Sequence, residues 1–137
     1  MARTALRNYF QGFLYEQPLS AVGNKFVIFF DKIGEQMVGV AKRNTPTTRG
    51  LCKHAGAWML DISLGTTYAF FNSGQHIPLG TKQKFNCCSR LAVSVSPTGL
   101  LSFELEGTLL HMFQLPDAED IYAALDIMEP GQTENFV

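Results

Sequence analysis

Short runs of apolar, β-branched and aromatic residues alternate with turn residues along most of this chain. From residue 25 onward the runs recur about every 8 to 12 residues, a spacing typical of a β-sandwich or a barrel. The clearest alternation lies in Ser89–Val95, where every second residue from Leu91 is aliphatic. A turn at 97–99 then leads into a return strand at Leu100–Leu105. The pattern therefore predicts an all-β fold, an antiparallel β-sandwich.

The strand pattern also predicts one large residue of the core. Trp58 lies in an apolar run, which predicts a buried, structural side chain whose indole N–H finds a hydrogen-bond partner. The connection at 32–35 has the length of a hairpin loop. The predicted strands are Lys25–Asp31, Gln36–Ala41, Trp58–Ser63, Thr66–Phe71, Gln75–Leu79, Ser89–Val95, Leu100–Leu105 and Thr108–Phe113.

The two ends of the chain carry other patterns. Apolar residues at 6, 9, 10, 13 and 14 share one helical face, which predicts a short N-terminal helix over 3–15, and Pro18 and Gly23 end it. A short helical turn is predicted at Asp117–Leu125 with Asp117 as its cap, followed by a last strand at 127–128. We divide the chain into an N-terminal helical segment and linker (1–24), a β-sandwich (25–130) and a C-terminal tail (131–137).

The longest polar stretch between two predicted strands spans residues 42–56. It carries four basic residues, at 42, 43, 49 and 53, together with His54. Loops longer than about 12 residues in compact domains are often functional. We expect a long surface loop that contributes little to the core and presents a contact surface.

Composition narrows the classes of function. The chain has 137 residues, of which 46% are hydrophobic, enough for one domain with a proper core. With 11 basic and 12 acidic residues it lacks the basic excess that phosphate neutralisation requires, so we expect no nucleic-acid partner. No apolar run reaches the length of a membrane span, and the N-terminus lacks the apolar stretch of a signal peptide. We expect a soluble, cytoplasmic protein that does not associate with membranes.

The cysteines and histidines show no recognisable chemical site. Cys52, Cys87 and Cys88 form an odd set with an adjacent pair, a poor disulfide framework, so we expect three reduced thiols. The spacing fits no zinc site, and no Gly-rich phosphate loop is visible, so we expect neither a metal nor a cofactor. No local signature surrounds a nucleophile, so we expect no catalytic residue and no enzyme.

Two alternatives remain open beside a binding module. One is a small Cys/His-dependent hydrolase using Cys87 or Cys88 with a histidine at 54, 76 or 111. The other is an oligomer-forming structural protein that uses the helix over 3–15. Replacing all cysteines and histidines would abolish the activity of a hydrolase. Deleting the helix over 3–15 would change the mass in solution of an oligomer-forming protein.

Four sequence pieces follow one another between Phe26 and Pro130: Met37-Val38-Gly39-Val40-Ala41, Gly56-Ala57-Trp58-Met59-Leu60 with Tyr68, Arg90–Val95 with Gly99–Phe103, and Leu110–Phe113. In this order they resemble a SPRY domain. This is the C-terminal part of the PRY-SPRY module found in TRIM ubiquitin ligases, butyrophilins and pyrin. The chain departs from the family pattern at Ala92, where the family has Gly, and no PRY pattern is visible in the first 25 residues. It therefore resembles a divergent SPRY domain.

The resemblance implies a function. SPRY domains recognise partner proteins through loops at one edge of a bent sandwich, so the expected partner is another protein or a peptide, with the oligomeric state left open. Target recognition in ubiquitin or innate-immune pathways and a virus-encoded mimic are the contexts it suggests. Aromatic and Arg side chains carry much of the energy of interfaces. The implied partner-binding residues are Arg43, Arg49, His54, Tyr68, Phe71 and His76.

Overall fold

A computed structural model describes residues 11–30, 36–47, 50–52, 54–61, 67–82, 89–127 and 134–136. Within these ranges the chain forms two antiparallel sheets and one short 3-10 helix, Leu19–Val22. The strands are β1 (Gln11–Pro18), β2 (Lys25–Phe30), β3 (Gln36–Lys42), β4 (Ala57–Asp61), β5 (Thr67–Asn72), β6 (Gln75–Lys82), β7 (Arg90–Val95), β8 (Leu100–Leu105), β9 (Thr108–Gln114), β10 (Ile121–Ile127) and β11 (Glu134–Phe136).

The two sheets confirm the predicted antiparallel sandwich. The larger sheet has the order β1-β10-β3-β4-β5-β6, and the smaller one has the order β11-β2-β7-β8-β9. In β7 and β8 every second residue is buried, because one face of the smaller sheet lies on the core and the other faces outward. This is the alternation from which both strands were predicted.

The main core lies between the sheets and is rich in aromatic rings. The Phe70 ring meets the Phe103 ring edge-on at 5.0 Å between centroids and the Phe113 ring at 5.2 Å. Trp58 belongs to the same cluster, with 3% of its surface exposed. Its Nε1–H donates to the side-chain oxygen of Asn72 at 2.8 Å, so the predicted partner of the indole is present.

A second apolar cluster covers the outer face of the larger sheet. Met37 of β3, Met59 of β4 and Ala124 of β10 meet Leu51 and Cys52, which come from the connection between β3 and β4. Leu51 is fully buried and Cys52 nearly so. The prediction that this connection contributes little to the core is therefore wrong, because its middle forms a third layer over the sheet.

Close packing inside the larger sheet explains one glycine. A Cβ added to Gly39 on β3 would lie 1.9 Å from the carbonyl oxygen of Trp58 and 2.8 Å from the Cα of Met59. Both atoms belong to the backbone of the neighbouring strand and have little freedom to move away. Glycine is therefore required here by the approach of β4.

The N-terminal helix prediction is wrong over the residues that the structure describes. Residues 11–15 lie in β1, which pairs with β10 from Gln11 opposite Ile127 to Leu14 opposite Ala124. From Gly12 to Tyr15, buried or half-buried residues alternate with exposed ones, a period of two that the helical spacing concealed. The helical structure observed in this region is the 3-10 helix at 19–22, and the rest of the predicted helix lies outside the described residues.

Three further expectations about the strands are corrected. The connection at 32–35 does not close a hairpin, because β2 pairs with β7 and β11 while β3 pairs with β10 and β4. The segment predicted as a helical turn becomes strand β10 from Ile121 onward, although Asp117 does accept the backbone N–H of Glu119. Within the predicted tail, Glu134–Phe136 forms β11 beside β2.

Candidate partner-binding site

The candidate site centres on the β3–β4 loop, residues 43–56, of which Leu51 and Cys52 lie on the outer face of the larger sheet. A buried carboxylate fixes its middle from below. Leu51 N–H donates to Oδ1 of Asp126 at 2.7 Å, and Cys52 N–H donates to Oδ2 at 2.9 Å. Asp126 lies on β10 and is fully buried. Each carboxylate oxygen thus holds one backbone amide of the loop.

The surroundings of Asp126 shift its acidity. Burial raises the pKa of Asp126, while hydrogen bonds from the Leu51 and Cys52 amides and the Cys52 thiol, and the nearby His54, oppose the rise. The protonated form is therefore more accessible here than at an exposed aspartate. The arrangement anchors the loop, at the cost of keeping a charge away from water.

Strand β1 holds the loop from a second side. Gly12 N–H donates to the carbonyl oxygen of Thr47 at 3.0 Å. A Cβ at Gly12 would meet Leu51 Cγ at 2.8 Å and Oδ1 of Asp126 at 3.1 Å. Glycine at this position therefore lets the strand, the loop and the carboxylate approach one another.

The two ends of the loop are joined to each other. Lys42 N–H donates to the carbonyl oxygen of Gly56 at 2.8 Å, and the Thr45 hydroxyl donates to the same oxygen at 3.3 Å. Between these fixed points, the exposed residues that the structure describes are polar or small, and Asn44, Pro46 and Ala55 face outward. The loop thus exposes these side chains on a backbone that is held by hydrogen bonds at its ends and in its middle.

Arg43 lies at the start of the loop and is already engaged. Its Nη2 forms an ion pair with Oδ1 of Asp120 at 3.1 Å, and its Nε–H donates to the Tyr122 hydroxyl at 3.1 Å. The guanidinium carbon lies 5.8 Å from the centre of the Tyr122 ring. These contacts hold the guanidinium in one place while 61% of its side chain stays exposed.

The remaining predicted residues lie in three places. Phe71 on β5 packs against the second apolar cluster, and its ring lies 4.9 Å from the ring of His76 on β6. His54 is half-buried in the loop, and its Nε2 has no hydrogen-bond partner among the residues that the structure describes. Tyr68 lies on β5, and Arg49 falls outside the described residues.

The structure therefore joins some predicted residues and leaves others apart. Phe71 contacts His76 and shares the second apolar cluster with the middle of the loop, whereas Arg43 belongs to a separate polar group with Asp120 and Tyr122. Whether any of them contacts a partner stays a prediction. The five that the structure describes lie in the loop or on strands β5 and β6 of the larger sheet.

Of the three cysteines, the structure describes Cys52, whose thiol is buried and forms no disulfide with a described residue. Cys87 and Cys88 lie outside the described residues. The Cys52 side chain bonds to Asp126 and has 1% of its surface exposed, so a substrate cannot reach it while the loop is in place. Among the described residues, no group of three or more His, Cys, Asp or Glu side chains is placed to hold a metal ion. The described helical structure includes no segment long and apolar enough to cross a membrane.

Sequence reasoning missed two residues of the site. Asp126 and Tyr122 lie on β10, which was predicted to begin as a helical turn. A signal for Asp126 was present, because it is the one charged residue in the otherwise apolar run Ile121–Ile127. A lone acid in such a run is buried only when hydrogen bonds satisfy it.

The fold is similar to that of several solved structures. Similarity to the SPRY domain of human HERC1 extends over 82% of this chain and 72% of that one, with a TM-score of 0.60 and 14% identity. The TRIM65 PSpry domain matches 94% of this chain and 72% of its own, with a TM-score of 0.69 and 12% identity. Stonustoxin matches 93% of this chain over 21% of its own length, with a TM-score of 0.69 and 18% identity. No protein-family model and no curated protein matches the sequence.

Proposed function

Since the chain adopts the fold of SPRY domains, we propose that it is a protein–protein interaction module that recognises a partner protein or peptide through the β3–β4 loop. One observation carries the proposal: the loop is anchored from below by Asp126 while its outward positions stay exposed. Binding residues are commonly placed on loops held by a rigid scaffold. A loop held in one conformation loses less entropy on binding than a free one.

The chemistry of the surface supports a protein partner. The loop begins at Arg43, whose side chain is held by Asp120 and Tyr122, and the neighbouring strands carry the Phe71–His76 ring pair. Arg and aromatic side chains are enriched among the residues that dominate interface energy. We extend the proposal to a cytoplasmic target in a ubiquitin or innate-immune pathway, or to a virus-encoded mimic of such a module.

The proposal is tested in two steps. A photo-crosslinking residue at Ala55, on the outward side of the loop, identifies the protein captured from cell lysate, and the same residue at Ser94 on β7 is the control. The purified partner is then titrated against the triple variant Arg43→Ala, Arg49→Ala, His54→Ala. Binding should weaken at least tenfold, which corresponds to about 1.4 kcal/mol.

The matched control is Arg90→Ala, which removes an exposed cation from the smaller sheet. This variant should bind as the parent does, and both variants should unfold within about 1 kcal/mol of it. Equal binding by the triple variant and the parent, with crosslinks mapping to the smaller sheet, would refute the loop as the contact surface.

A further inference from the structure

The four strands at the ends of the two sheets differ in how well they are protected from pairing with another chain. Strand β1 contains Pro18, and its Gly12 amide is taken by the loop. Strand β6 contains Pro78 and Lys82, and β11 is three residues long and begins with Glu134. Proline, charge, shortness and β-bulges are the usual means of blunting an edge strand. Strand β9 is long, uncharged and free of proline, and its one irregularity is a bulge at Leu110.

Strand β9 is seven residues long and contains neither proline nor a formally charged residue. No strand in the described ranges pairs with its outer edge. Two of its apolar side chains face solvent, with 49% of Leu109 and 46% of Met112 exposed. An uncharged edge with exposed apolar side chains is a ready site for adding a further strand.

The spacing of the two exposed side chains results from a bulge. Leu109 pairs with Glu104 and His111 with Phe103, so Leu110 is an extra residue in β9. The bulge brings residues 109 and 112, three apart, to the same outer face, while the His111 ring packs 5.2 Å from the Phe70 ring on the core side. A regular extended peptide does not match this irregular edge, whereas a second copy carries the same irregularity.

We propose that two copies of this chain associate through β9, antiparallel about a two-fold axis between Leu110 and His111. In that register Leu109 of each copy lies opposite Met112 of the other, and bulge meets bulge. An isologous interface requires this kind of self-complementarity. Cross-strand apolar pairs of this type stabilise antiparallel sheets.

The charges near the edge agree with self-pairing. Glu104 lies beside Leu109 on β8, whereas Ser102 lies beside Met112, so the two-fold axis sets each Glu104 against the serine end of the other copy. Glu106 in the β8–β9 turn is directed elsewhere, because its carboxylate accepts the backbone N–H of Arg90. Among the described residues named here, no like charges therefore face each other along the seam.

The first test is the mass of the full chain in solution by light scattering and sedimentation. At about 100 µM the parent should be a dimer, since association with a Kd of about 1 µM would then be nearly complete. The double variant Leu109→Lys, Met112→Lys should be a monomer with an unchanged circular dichroism spectrum and melting temperature. The control Phe13→Lys changes an equally exposed apolar residue on β1 and should remain a dimer.

The second test fixes the register. Chains carrying Leu109→Cys and chains carrying Met112→Cys, both with Cys87→Ser and Cys88→Ser, are mixed and oxidised. Disulfide-linked dimers should form between the two kinds of chain and not within either kind alone. A monomeric parent at about 100 µM, dimers that persist in the lysine variant, or disulfides within one kind of chain would each overturn the proposal. A monomeric parent that binds a synthetic apolar strand peptide would show that β9 receives a different partner.

Discussion

Asp126 provides the sharpest test of how the loop is held. Replacing it with Ala leaves the amides of Leu51 and Cys52 buried without an acceptor. Each buried amide left unsatisfied costs about 1–3 kcal/mol, so the two together cost about 2–6 kcal/mol. Part of this is offset, because the variant no longer keeps a carboxylate out of water, as its raised pKa shows. We expect Asp126→Ala to destabilise the domain by about 2–4 kcal/mol.

Denaturant unfolding measures the global cost, and amide hydrogen exchange at Leu51 and Cys52 measures the local one. Asp126→Asn keeps one acceptor oxygen and sets an NH₂ group against the other amide, so about half the loss is expected. Glu119→Ala is the control, since it removes an exposed acid and should cost less than about 0.5 kcal/mol. If Asp126→Ala unfolds like this control and exchange at Leu51 and Cys52 is unchanged, the carboxylate does not anchor the loop.

Three further predictions concern stability. Trp58→Ala should destabilise by about 3–5 kcal/mol in denaturant unfolding, as for a large buried aromatic residue; an unchanged melting temperature would contradict the core assignment. Gly39→Ala should cost about 3 kcal/mol or more, because its Cβ meets the backbone of β4; a soluble variant of parental stability would refute that contact. A raised pKa means that the folded protein binds the Asp126 proton more tightly than the unfolded chain does, and the stability linked to this proton is fully present below the unfolded-state pKa and lost as pH rises through the folded-state value. The parent should thus gain stability relative to Asp126→Asn from pH 7 to about pH 4, and a constant difference would contradict this.

The sequence was sufficient to predict those strands that have one buried and one outward face. Strand β8 occupies Leu100–Leu105 as predicted, because a period of two needs no knowledge of the neighbouring strands. Trp58 was likewise predicted as a core residue with a bonded indole, and both features are present. Its large apolar ring with a single donor leaves few other arrangements inside a sandwich.

The elements that the sequence did not predict depend on partners far along the chain. Strand β1 pairs with β10, which lies near the other end of the sequence, and its apolar residues also fit a helical spacing. Strand β10 is buried on both faces from Ile121 to Asp126, so no alternation marks it as a strand. The second apolar cluster could not be predicted either, because Leu51 and Cys52 lie in a polar stretch of the sequence. They become buried only when the loop folds over β10.

The bonds that Asp126 makes to Leu51 and Cys52 reach the backbone of the loop and not the side chains at its outward positions. Every residue except proline supplies the same N–H group, so these hydrogen bonds do not depend on which side chains the loop exposes. Positions such as Asn44, Pro46 and Ala55 can therefore diverge while the loop keeps its path. The proposed contact surface can therefore vary by substitution alone, and a library randomised at these three positions should retain the parental fold.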